Sequence, residues 1–310
     1  MPLVKFENKK QMTLENKINI IKLELKNYYD INEINSFINI IFDKLLSLSK
    51  IEIHSNKNII IDDKIEKKIN QIIDDLKNEK PIQYIFGETE FFDLKFEVNK
   101  NVLIPRPETE ELIDWIISNT HPLTQNERVN NINILDIGTG SGCIAISLAK
   151  NLPNANVYAI DISENALEIA KKNALKNKVK IIFAKYDILS DMNLFSKNKT
   201  LGEKQIFFDI IVSNPPYVRE LEKKMMSKNV LNYEPETALF VENSNPLIFY
   251  DKICNFANKY LKPKGKIYFE INEYLSKEMI ELIKNHNFTN IELKKDINNK
   301  DRMIKINLTN

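Results

Sequence analysis

The chain has 310 residues, 43% of them hydrophobic, enough for one large domain or two ordinary ones. Its 44 Lys and Arg against 43 Asp and Glu leave a net charge of +1, so nothing demands a nucleic acid or a membrane surface as partner. Two cysteines, Cys143 and Cys254, are too few for a disulfide framework and point to a reducing cytoplasm, and His54, His121 and His286 lack partners at zinc-ligand spacing.

The N-terminal stretch has no long apolar core and no small-residue cleavage site, so no secretory leader is expected. No run reaches the roughly 18 apolar residues that a membrane span needs. Residues 11–80 carry helical spacing. Met12, Ile18, Ile21 and Leu25 form one stripe, and Ile34, Phe37, Ile38, Ile41, Leu45 and Leu48 a second. Asp62 is the predicted N-cap of a third segment lined by Ile65, Ile69, Ile72, Ile73 and Leu76. No glycine precedes Gly87. The expectation is a small helical domain with no catalytic constellation of its own.

Gly87–Ile104 changes character. Phe91, Phe92, Leu94, Phe96 and Val98 alternate, Asn99-Lys100-Asn101 reads as a turn, and Val102-Leu103-Ile104 follow, so a hairpin is predicted with its turn at Asn99–Asn101. Glu108 to Glu111 then place carboxylates in the first turn of a helix running to Ser118, with Trp115 as a packing residue. From Asn131 the pattern alternates. Strands are predicted at Ile132–Ile137, Val157–Ile162, Lys180–Ala184, Phe207–Ser213 and Lys266–Ile271. Helices are predicted at Cys143–Asn151, Asn165–Asn177, Pro246–Leu261 and Ser276–Asn285. This is the signature of a parallel sheet with helices on both faces. Ser190–Gln205 is polar and reads as a mobile loop, while Asn290–Lys294 and Met303–Leu308 form an antiparallel edge hairpin.

Two stretches carry chemistry. Asp136-Ile137-Gly138-Thr139-Gly140-Ser141-Gly142 leaves a strand and opens a helix. Glycines at alternate positions let backbone approach a ligand, and a helix N-terminus favours an anionic group. The spacing is neither that of a dinucleotide fingerprint nor that of a nucleoside-triphosphate loop. Asp161 ends the next strand, roughly 20 residues on, where an acid accepts from ribose hydroxyls. Asp187 ends the third strand region, where a carboxylate can accept from an adenine amino group, with Ile188 packing on the ring. Asp136 lies near the sheet end and could meet an ammonium. An adenosine bearing a zwitterionic amino acid, S-adenosylmethionine, satisfies all of these. The loop alone would also suit another nucleotide or a flavin, and each aspartate alone could be a cap or a turn.

The second stretch is the unalternating run Phe207–Ser213, which reads as a strand buried on both faces and stops at Asn214-Pro215-Pro216-Tyr217. Asn214 therefore sits at the carboxyl end of a central strand, where open α/β sheets bind ligands. Its side-chain oxygen and a carbonyl of the prolines form a fixed pair of acceptors able to hold an NH2 group. The plainer reading is a strand followed by a Pro-rich turn.

Pro81–Gly87, the run Leu103-Ile104-Pro105-Arg106-Pro107-Glu108-Thr109-Glu110, the Asp136–Gly142 loop and Asn214–Tyr217 together resemble the HemK/PrmC family of peptide chain release factor glutamine methyltransferases. Asn214–Tyr217 alone is shared with DNA adenine and rRNA guanine methyltransferases; the run through Arg106 and Glu108 is the more specific tag. Glu242–Leu247 replaces a more glycine-rich family segment, and Ile271-Asn272 stands where the family often has Ile-Gly.

The resemblance implies a Rossmann-like class I methyltransferase: a mostly parallel seven-stranded sheet with an antiparallel edge hairpin. It implies three parts: a helical substrate-recognition domain at 1–86, a β-hairpin linker at 87–107 and the methyltransferase domain at 108–310. The implied donor is S-adenosylmethionine, held by Gly138, Thr139, Gly140, Ser141, Gly142, Asp161, Ile188 and Asn214, to which the reading of the strand ends adds Asp136 and Asp187. The implied substrate is the glutamine of the Gly-Gly-Gln loop of release factors, bound by Asn214, Pro215, Pro216 and Tyr217, with Tyr217 walling the pocket. Neither metal nor nucleic acid is required, and a cytoplasmic monomer is expected. The alternatives are methylation of a ribosomal-protein glutamine, of a nucleic-acid amino group, or a binding protein that has lost catalysis.

Overall fold

A computed structural model describes residues 11–120, 131–190, 205–286 and 288–308. His121 and all but the two end residues of the predicted loop Ser190–Gln205 lie outside them. The chain divides into two units between Phe86 and Gly87, so the hairpin falls within the second.

Among the described residues of the first unit five helices follow one another: α1 (Leu14–Leu25), α2 (Ile31–Leu46), α3 (Lys50–Ser55), α4 (Asp63–Lys77) and α5 (Ile82–Phe86). Their starts are set by side-chain caps. Thr13, Asp30, Ser49 and Asp62 each accept a first-turn N–H, and Ser49 with Glu52 closes a capping box. The helix that Asp62 caps is the fourth, because six-residue α3 intervenes; so short a helix shows no period. The predicted stripes meet in one core. Leu14, Ile21, Leu25, Ile41, Phe42, Ile69 and Leu76 are fully buried, each contributing about 1.5–3 kcal/mol of apolar burial. Lys17 is buried too, and its ammonium donates to Asn70 Oδ1 at 2.6 Å.

The second unit opens with a hairpin of β1 (Glu88–Phe91) and β2 (Leu94–Glu97), Phe91 facing Leu94. Its turn is Phe92-Asp93, with φ of 49° and 58°, the mirror-image geometry that two-residue hairpins favour. The predicted turn at Asn99–Asn101 is thus not the hairpin turn, and no strand forms at Val102–Ile104. Glu110 Oε1 accepts the Phe92 N–H at 2.8 Å and ties down a turn that has neither Gly nor Asn.

The rest is α6 (Pro107–Ser118), β3 (Asn133–Ile137), α7 (Cys143–Asn151), β4 (Asn156–Asp161), α8 (Glu164–Lys176), β5 (Ile182–Lys185), β6 (Phe208–Ser213), β7 (Val218–Arg219), α9 (Lys228–Tyr233), β8 (Phe240–Val241), α10 (Ile248–Tyr260), β9 (Leu261–Glu270), α11 (Ser276–Asn285), β10 (Phe288–Lys295) and β11 (Asp301–Leu308). Seven strands make one sheet in the order β10-β11-β9-β6-β3-β4-β5. The pairs from β9 to β5 are parallel, and β11 runs antiparallel to both of its neighbours. β9 starts at Leu261, five residues before its predicted start at Lys266. Ile211 faces a core with α10 and α11, while Ile210 and Val212 face another with α6 and α7. Burial on both faces is why this strand shows no alternation. Strand order reverses between β3 and β6, whose last residues Ile137 and Ser213 are partners in register. That reversal opens a crevice at their carboxyl ends.

Candidate active site

The crevice holds a cavity of about 390 Å³, lined among others by Gly138, Thr139, Gly140, Ser141, Asp161, Asp187, Ile188, Asn214, Pro215 and Pro216. One wall is the loop between β3 and α7. The Gly138 and Thr139 N–H groups both donate to the Ile160 carbonyl, at 2.9 and 3.0 Å, folding the loop onto the end of β4. Gly140 (φ 56°) and Gly142 (φ 83°) are left-handed, where a side chain is strained. A Cβ on Gly142 would stand 2.9 Å from Ile146 Cδ1 and 3.1 Å from Ala170 Cβ, so α7 and α8 pack across it. At Gly138 and Gly140 nothing lies within 4 Å of the Cβ position, which leaves open space for a ligand. Gly142 offers no side-chain cap to α7.

Asp161 supports this loop. Its Oδ2 accepts the Gly140 N–H at 2.9 Å and its Oδ1 accepts the Ser163 N–H at 2.8 Å. Burial raises its pKa and those backbone bonds oppose the rise. Each oxygen keeps a second lone pair for a hydroxyl donor. Asp187 stands two residues past β5, its Oδ1 bonded to the Leu189 N–H at 2.9 Å, and Ile188 gives the cavity an apolar wall. Arg106 is the cationic residue among the described lining residues, and it is ion-paired with Glu234. These acceptors therefore suit a ligand with hydroxyl, amino and cationic groups. Burial pushes the Cys143 thiol up to about 12, so it offers no thiolate at neutral pH.

Two predicted site residues lie elsewhere. Asp136 is fully buried beneath the loop and does not line the cavity. Its Oδ2 accepts the Thr139 hydroxyl at 2.6 Å, its Oδ1 makes no hydrogen bond, and burial pushes its carboxyl up to about 7. It orders the loop from behind, through Thr139. Tyr217 likewise does not wall the cavity: its ring packs against the core and its hydroxyl donates to Glu270 Oε1 at 2.9 Å.

Other residues were not legible locally. Asn214 donates through Nδ2 to Thr109 Oγ1 at 3.3 Å, and Thr109 donates to Glu270 Oε2 at 2.6 Å. Glu234 accepts from the Ile104 N–H at 3.1 Å as well as from Arg106, joining the Asn101–Arg106 wall to the Pro235–Phe240 wall. Asn272 donates to the Tyr217 carbonyl at 3.0 Å and to Glu222 at 2.9 Å, a bond that a glycine there could not make. Thr109 lay in plain view in the run after Arg106, but its partner is 161 residues away.

Residues 128–309 match the family described as "Methyltransferase domain". The release factor glutamine methyltransferase of Flavobacterium psychrophilum is 50% identical over 283 residues, 91% of this chain and 95% of that protein. The chain belongs to the release factor glutamine methyltransferase family. The protein of that name from Bacteroides thetaiotaomicron is 42% identical over 287 residues, 93% of this chain and 97% of the other. Among solved structures, the METTL16 methyltransferase domain superposes with a TM-score of 0.51 at 17% identity, over 70% of this chain and 89% of that one, a likeness of fold. In this release factor glutamine methyltransferase family member the glycine loop and Asn214 end neighbouring strands of that fold, and both line one cavity.

Proposed function

We propose that the protein methylates the side-chain amide nitrogen of the glutamine in the Gly-Gly-Gln loop of peptide chain release factors, with S-adenosylmethionine as donor. One observation carries the reading: Asn214-Pro215-Pro216 and the Gly138–Gly142 loop line the same cavity. The family and its curated relatives support it.

The cavity fits the donor. Asp161 would accept from ribose hydroxyls and Asp187 from the adenine amino group. Ile188 would cover the ring, and the open faces of Gly138 and Gly140 would admit the amino-acid portion. When bound, S-adenosylmethionine supplies a methyl group made electrophilic by the sulfonium charge.

The chain's own task is geometric. An amide nitrogen is a poor nucleophile because its lone pair is delocalised into the carbonyl. Asn214 Oδ1 and the Pro215 carbonyl would each accept one N–H of the glutamine, aiming the nitrogen and favouring the charge that develops on it. The amide newly methylated on nitrogen carries a positive charge, is strongly acidic and loses one proton to water or a carbonyl acceptor, so no strong base is needed.

Residues 1–86 would serve release-factor recognition, as a unit separate from the one that holds the cavity. The setting we infer is the cytoplasm, and the working form a monomer; no helix among the described residues is long and apolar enough to cross a membrane. A labelled methyl-transfer assay with release factor, ribosomal protein and DNA side by side tests the substrate. Label on the release-factor glutamine is expected, and label confined to either of the others contradicts the reading.

A further inference from the structure

Thr109 has one hydroxyl proton, and the structure shows where it goes. Oγ1 lies 2.6 Å from Glu270 Oε2, and both residues are buried, at 2% and 1% exposure. The second carboxylate oxygen, Oε1, accepts the Tyr217 hydroxyl at 2.9 Å. With a donor on each oxygen, the Glu270 carboxylate acts as an acceptor on both sides. Burial raises the Glu270 pKa above the ordinary carboxylate value, while the hydrogen bonds from Thr109 and Tyr217 and the nearby Arg302 charge favour the charged form.

The consequence reaches Asn214. With its proton spent on Glu270, Thr109 Oγ1 can only accept. The Asn214 amide lies 3.3 Å away and must meet it with NH2. The amide is planar, so committing its nitrogen to Thr109 leaves Oδ1 as the atom for a ligand. In the opposite orientation Asn214 would set its NH2 against the NH2 of a substrate amide, donor against donor.

We propose that Thr109, held by Glu270, is a positioning residue that fixes the Asn214 amide with its oxygen toward the substrate. Thr109 acts only through Asn214 and need not touch the reacting atoms. The proposal rests on the reading of Asn214 as an acceptor for the substrate amide.

The test is single-turnover methylation of release factor by the full chain, at saturating donor and substrate, with donor affinity measured separately by calorimetry. Thr109→Val keeps the shape and removes the hydroxyl. It should slow the step roughly tenfold, the worth of one buried hydrogen bond. Donor affinity should stay unchanged, and Thr109→Ser should recover most of the rate. In an Asn214→Ala background, Thr109→Val should slow the step no further, because both changes remove the same contact. A merely structural Thr109 would give effects that multiply.

If Thr109→Val does not fold, Glu270→Gln asks the same question. Its amide can turn NH2 to Thr109 and release the hydroxyl proton to Asn214. It too should slow the step, and add nothing in the Asn214→Ala background. Wild-type rates in either variant, a Thr109→Ser as slow as Thr109→Val, or multiplying effects would overturn the proposal. If Asn214→Ala is slow while Thr109→Val is not, only the positioning role fails. If Asn214→Ala turns over at the wild-type rate, the reading beneath it fails as well.

Discussion

The carboxylate of Asp161 accepts the backbone N–H of Gly140 at 2.9 Å, 21 residues back along the chain. One side chain thus shapes the glycine loop and faces the cavity. Asp161→Ala removes both functions. Donor affinity should fall by about 1.5–3 kcal/mol, the worth of hydrogen bonds to a charged group, or roughly 10- to 100-fold. Calorimetric titration of S-adenosylmethionine reads it, and unchanged affinity in a folded variant would refute the assignment.

Gly142→Ala should act on stability first. The residue has φ of 83°, and the added methyl would meet Ile146 at 2.9 Å. Strain and overpacking of this kind cost on the order of 1–3 kcal/mol each. Thermal unfolding should show a lowered Tm. A variant as stable as the parent would mean that α7 and α8 do not pack across this position.

Asp136 gives a pH dependence with a definite sign. Its folded pKa is raised to about 7 by burial, from an unfolded value of about 3.9. The folded state therefore holds a proton that the unfolded state releases between those values, and this contribution to stability is lost as pH rises from about 4 through 7. Asp136→Asn removes the titration. Relative to the parent, the variant should gain stability as pH rises across that window, by at most about 4 kcal/mol for three pKa units. Denaturant midpoints at pH 5 and pH 8 read the difference. A difference that is flat, or that shrinks with pH, would contradict a buried carboxyl that holds its proton in the folded state.

How much of this was legible in the sequence depended on the range of the interaction. Gly138–Gly142 and Asn214 announce themselves by local rules: glycine spacing after a strand, and prolines ending an unalternating run. The Phe92-Asp93 turn was missed because its left-handed pair lacks the Gly or Asn that usually marks it, and Glu110 from another element holds it. Asp136 lies beneath the glycine loop and not on the cavity wall, because position near a strand end does not say which face a side chain takes. Thr109 and Glu270 meet across 161 residues, and no local pattern encodes that.

The division between Phe86 and Gly87 gives a further prediction. A chain starting at Gly87 should fold and bind S-adenosylmethionine, yet methylate intact release factor poorly. Circular dichroism, calorimetry and the methylation rate test the three parts in turn. Full activity on release factor would show that residues 1–86 are not needed for recognition.

Asn214 is the residue on which the account turns. It directly follows β6 beside the glycine loop, and the following proline holds its backbone extended. Asn214→Ala removes one preorganised acceptor from the substrate NH2. Losing such a contact costs about 2.7–4 kcal/mol, or roughly 10²–10³ in turnover. The decisive measurement is single-turnover methylation of release factor by Asn214→Ala at saturating donor, with donor affinity determined separately. The expected result is a rate lower by that factor while the protein remains folded and still binds S-adenosylmethionine. A rate near that of the parent would mean that the glutamine is held elsewhere, and would contradict the account.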